Sequence, residues 1–61
     1  MATFHVTVKV ETPEGINKTY PLTIENVCDE FDAQILAELK AYKMGDDVIE
    51  FIKVEKLELA Q

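Results

Sequence analysis

Asp29 to Met44 reads DEFDAQILAELKAYKM, and the fold turns on this stretch. Asp29, Glu30 and Asp32 put negative charge in a first helical turn, where it complements the positive end of the helix dipole, and Asp29 is suited to cap free N–H groups. Phe31, Ile35, Leu36, Leu39 and Tyr42 then recur at the three-to-four spacing of an amphipathic helix, the face expected to pack on a core. Ala33, Ala37 and Ala41 add helix propensity without bulk. Lys40 and Lys43 suit the last turn, and Gly45 is placed to end it. The spacing predicts one helix from about Asp29 to Met44, with Val27 positioned for a hydrophobic staple at its start.

Upstream, Phe4, Val6, Val8 and Val10 alternate with His5, Thr7, Lys9 and Glu11, a period of two rich in β-branched residues that marks a strand. Thr12-Pro13-Glu14-Gly15 supplies Pro where φ near −65° is wanted and Gly where a positive φ is cheap, so a turn follows, extended by Ile16 and Asn17. The chain returns through Thr19–Ile24, with Tyr20, Leu22 and Ile24 on one face. Pro21 cannot donate to a ladder, which puts this second strand at a sheet edge.

Downstream, Val48 to Leu59 carries apolar residues on both parities: Val48, Ile52 and Val54 on one, Ile49, Phe51, Leu57 and Leu59 on the other. A straight strand would expose Ile49 and Phe51 on the face away from the helix. A bulge near Glu55-Lys56 would instead bring Leu57 and Leu59 round to the Val54 side. Connection rules then give a hairpin of the first two strands and a right-handed crossover through the helix to a third strand beside the first. The expected fold is one α+β domain of ββαβ form, a three-stranded antiparallel sheet of order 2-1-3 with one helix packed on one face.

At 61 residues the chain can bury only a small core, and one Cys rules out an internal disulfide. The opening MATFHVTV has no basic start, apolar core or small-residue cleavage site, and no apolar run approaches the length of a membrane span. A cytoplasmic protein without membrane attachment is expected. Twelve acidic residues against six basic ones, none of them Arg, give a formal net charge of −6, the wrong sign for direct nucleic-acid binding.

Little here supports catalysis. Cys28 precedes the helix, where a thiol pKa can fall, but the only His is His5, on the first strand and expected to face away from the helix. Cys28 reads as a small, partly buried residue. The two glycines, Gly15 and Gly45, are too far apart for a phosphate loop, and no calcium-loop or zinc spacing occurs. Phe4, Tyr20, Phe31 and Tyr42 are assigned to the core, which leaves Phe51 alone and no stacking platform. Neither a cofactor nor a metal is expected, and the chain is not expected to be an enzyme.

What remains is surface. Ile49 and Phe51, with Leu57 and Leu59, would form an apolar centre on the open sheet face, rimmed by His5, Thr7, Lys9, Thr19, Thr23 and Lys53. The expected function is therefore a protein-interaction or structural module, a homodimer through that face or through the free edge of the last strand. The alternative is an acidic decoy for the basic nucleic-acid site of another protein. In topology alone the chain resembles short α+β proteins of phage and prophage origin, a likeness that assigns no residue a role.

Overall fold

The computed structural model describes residues 1–57, which form strand β1 (Ala2–Glu11), strand β2 (Asn17–Val27), helix α1 (Glu30–Lys43) and strand β3 (Asp47–Leu57). β1 lies in the middle of a three-stranded antiparallel sheet of order β2-β1-β3, so the ββαβ arrangement expected from the sequence is the one observed. Pro21 sits on β2 at the sheet edge, opposite Thr7. The β1–β2 turn is closed by the Gly15 N–H donating to the Thr12 carbonyl and the Thr12 N–H to the Ile16 carbonyl, both at 2.8 Å. Gly15 has φ +81°, a conformation that costs glycine little.

Three irregularities of register shape the core face. Between β1 and β2, Phe4 pairs with Ile24 but Ala2 with Val27, so β2 carries one extra residue there. Asn26 absorbs it at φ 61°, in the left-handed region that Asn tolerates better than most side chains. Between β1 and β3, Thr7 pairs with Lys53 and Val8 with Phe51, leaving Ile52 unpaired. Lys9 then pairs with Glu50 and Val10 with Val48, leaving Ile49 unpaired. The bulge expected near Glu55-Lys56 therefore lies elsewhere, as two bulges at Ile52 and Ile49. Their effect is that every third residue of β3, not every second, turns to the core: Val48, Phe51 and Val54 all pack against it.

The helix has the predicted limits. Asp29 is its N-cap, with Oδ1 accepting from the Asp32 N–H at 3.0 Å. At the other end the Asp46 N–H donates to the Ala41 carbonyl at 3.0 Å and the Gly45 N–H to that of Tyr42 at 2.9 Å, a Schellman closure with Gly45 at φ +92°. The Asp46 carboxylate in turn accepts from the Tyr20 hydroxyl at 2.7 Å, fastening the end of α1 to β2.

The rotation of α1 differs from expectation. Ala33, Ala37 and Ala41 are its buried residues and face the sheet, against Phe4, Val6, Val8, Val10, Ile24 and Val27. Phe31, Ile35, Leu36, Leu39 and Tyr42 are exposed instead. Two residues separate β2 from α1, and three separate α1 from β3. Such short connections hold the helix down on the sheet, where β2 and β3 already supply Tyr20, Leu22, Phe51 and Val54 to the core. The space left accepts methyl groups and no larger side chain.

Candidate functional site

The sheet face turned away from the helix is polar. The register places Thr3, His5, Thr7 and Lys9 of β1 beside Pro21 and Thr23 of β2 and Glu50, Lys53 and Glu55 of β3. His5 and Lys53 are exposed there, and Thr7 is half-buried. Phe51 is not part of this face: it pairs with Val8 and packs on the core, because the bulges shift its parity. Leu57 is half-buried opposite Thr3, and Leu59 lies outside the described residues. Ile49 is exposed, but as an unpaired bulge residue and not as the centre of a sheet patch. The apolar centre expected around Ile49 and Phe51 therefore does not form as read: Phe51 belongs to the core, and the exposed apolar residues of β3 are the two bulge residues, Ile49 and Ile52. An ion pair on the open face, Lys53–Glu55 at 3.8 Å, is well exposed and contributes little.

Both sheet edges are irregular as well. β2 carries Pro21 and the Asn26 bulge, and β3 carries two bulges. Proline and bulges on edge strands oppose pairing with a further strand. Cys28, expected to be partly buried, is exposed between Val27 and the N-cap. His5 belongs to the middle strand, on the face away from α1. Among the described residues no three Asp, Glu, His or Cys side chains converge as metal ligands, and no helix is long and apolar enough to cross a membrane. Carboxylates occur on all three strands and on the helix rather than along one element.

The large apolar surface is on the helix. Phe31 and Tyr42 are each 69% exposed, Ile35 63% and Leu39 46%, with Leu36 beside them at 39%. At about 100° per residue, Phe31, Ile35, Leu39 and Tyr42 fall in one stripe on the side of α1 opposite Ala33, Ala37 and Ala41. A groove between this stripe and the start of β3 is lined by Ile35, Leu39, Tyr42 and Val48, with Glu38 and Asp46 at its margin. On the other side a second hollow continues the apolar surface from Ile35 and Leu36 towards Val27 and Met1. This surface escapes pattern reading because a large apolar stripe is ordinarily the buried one. The signal that marks it is the second stripe, Ala33-Ala37-Ala41, at the same period on the opposite side.

A displaced titration lies where β2 meets the end of the helix. Burial, then the hydrogen bond to Asp46 and its negative charge, pushes the Tyr20 phenol up to about 12 from 10.0. The shift belongs to the hydrogen-bonded link between β2 and the helix terminus. Comparison with known protein families, curated proteins and solved structures finds no match for the chain.

Proposed function

We propose that this chain is a non-enzymatic protein-interaction module that works by laying the outer face of α1 against another protein surface. One observation carries the reading: Phe31, Ile35, Leu39 and Tyr42 form a continuous stripe on the solvent side of a helix that already packs on its own sheet through alanine. Contiguous apolar patches of this kind on small soluble proteins mark contact sites. Left uncovered, these side chains forgo on the order of 5 kcal/mol of burial per chain, a large amount beside the stability of a domain this size. The polar sheet face and irregular edges offer no comparable surface.

The test is whether the stripe is dispensable to the chain's own fold. The double variant Ile35→Glu, Leu39→Glu is expected to keep its far-UV circular dichroism and, in dilute urea titrations, an unfolding free energy within about 0.5 kcal/mol of the parent. Loss of cooperative unfolding would mean that these side chains hold the chain's own core, and the contact reading would fail.

A further inference from the structure

We infer that the surface covering the outer face of α1 is the same face of a second copy, with the two helices antiparallel about a two-fold axis. This rests on the contact reading above and names the partner. The stripe is self-complementary when reversed. An antiparallel pair centred at the level of Ala37 sets Phe31 against Tyr42 of the other copy, at both ends, and Ile35 against Leu39 in the middle. Aromatic side chains then meet aromatic, and aliphatic meet aliphatic.

Charge follows the same symmetry. The first turn of α1 is acidic through Glu30 and Asp32, and the last turn is basic through Lys40 and Lys43. Lys40 is directed to the Thr23 carbonyl of its own sheet, at 3.4 Å, but Asp32 and Lys43 are exposed on one flank of the stripe. They stand eleven residues apart, three turns and about 20°, so the same two-fold that pairs Phe31 with Tyr42 pairs Asp32 with Lys43 of the other copy, twice. A parallel pair would instead set the Asp32–Lys43 flank of one copy against the Glu38 flank of the other and align two helix dipoles side by side.

The area is sufficient. On ordinary side-chain areas the five exposed residues offer about 500 Å² per copy, so a dimer hides about 1,000 Å² before the Asp32 and Lys43 stems are counted. The total is at the lower bound for a specific interface, and the share of each copy is roughly a tenth of its 4421 Å² surface. An interface of this size belongs to the small class, at the edge of specific association.

Sedimentation equilibrium of the parent chain up to millimolar concentration is the experiment, with circular dichroism to confirm that each variant is folded. The parent is expected at twice the 6.9 kDa chain mass. Ile35→Glu is expected to weaken association at least about 100-fold. Asp32→Lys alone and Lys43→Glu alone each place like charges together at both ends and weaken it about tenfold, whereas the two combined restore it. A parent that stays monomeric overturns the second-copy inference while the dilute unfolding test still decides the contact reading. A dimer indifferent to Ile35→Glu overturns the face. A dimer sensitive to Ile35→Glu but indifferent to both charge reversals overturns the antiparallel arrangement. Cys28 offers an independent check as a single exposed thiol. A spin label there should broaden amide signals of Lys43 to Gly45 in an isotope-labelled second copy; broadening at Asp29 to Asp32 would show a parallel pair instead.

Discussion

The two sides of α1 obey opposite rules. On the inner side, Ala33, Ala37 and Ala41 are fully buried, and what matters is that they are small. On the outer side, Phe31, Ile35, Leu39 and Tyr42 are large and sit in solvent. In an isolated domain the reverse would bury more apolar area. The inner side is thus fixed by close packing on a valine-rich sheet, where an extra carbon has nowhere to go. The outer side is free of that constraint, and its large side chains are the observation on which the proposed contact rests.

Substitutions that exchange the two rules should have the largest effect. Ala37→Leu adds three carbons where the residue is completely buried between helix and sheet, and is expected to cost about 2 kcal/mol or more, enough to lower the urea midpoint sharply in a domain of this size. Leu39→Ala, two residues away on the outer side, is expected to change the unfolding free energy in dilute solution by less than about 0.5 kcal/mol. If Leu39→Ala proved the more destabilising of the pair, the helix would be rotated from the orientation described here.

Much of the fold was legible in the sequence, and the orientation of the helix was not, for a definable reason. Asp29, Lys43 and Gly45 announce the helix ends because capping is local chemistry that no distant residue can override. Pro21 marks an edge for the same reason. The rotation of α1 is not local. Two stripes share the helical period, and ranking them by hydrophobicity selects the larger, whereas the short connections and the filled sheet face select the smaller. The third strand misleads in a related way. Strict alternation places Phe51 outside, but the bulges at Ile49 and Ile52 reset parity twice, and a bulge depends on the partner strand's register. With Phe31 and Tyr42 read as core, the sequence pattern leaves only the sheet as a place for a contact surface.

Effects at the ends of the helix should be smaller and should leave the two faces alone. Asp29→Ala removes the oxygen that accepts from the Asp32 N–H and is expected to cost about 1 kcal/mol. At the other end, Tyr20 couples stability to alkaline pH. Its phenol is raised to about 12 in the fold, against an ordinary value of 10.0, so the folded chain holds its proton more tightly than the unfolded one. The resulting stabilisation is complete below pH 10, and it falls as pH rises from there through 12. Urea midpoints followed across that range should decline, and Tyr20→Phe should remove this part of the slope. In a Tyr42→Phe background, phenolate absorbance should report Tyr20 alone, rising near pH 12.

The smallest expected effect is also the one most specific to the antiparallel pair. Glu38 is exposed one residue beyond Ala37, on the flank of the stripe opposite Asp32 and Lys43. A two-fold axis at the level of Ala37 brings the two copies of Glu38 close together, on a chain that is already acidic. Glu38→Gln removes that repulsion without altering shape, and should tighten the dimer about twofold while leaving the dilute unfolding midpoint where it was. Raising the salt concentration should narrow the gap between parent and variant, because exposed like charges are screened. In a parallel pair the two Glu38 side chains would lie on opposite flanks, each beside the Asp32–Lys43 flank of the other copy, so Glu38→Gln would have no Glu38–Glu38 contact to relieve and would not tighten association. Under the antiparallel arrangement only Glu38→Gln does so, and Asp32→Asn weakens it. The opposite signs of these two neutral substitutions separate the arrangements without a charge reversal.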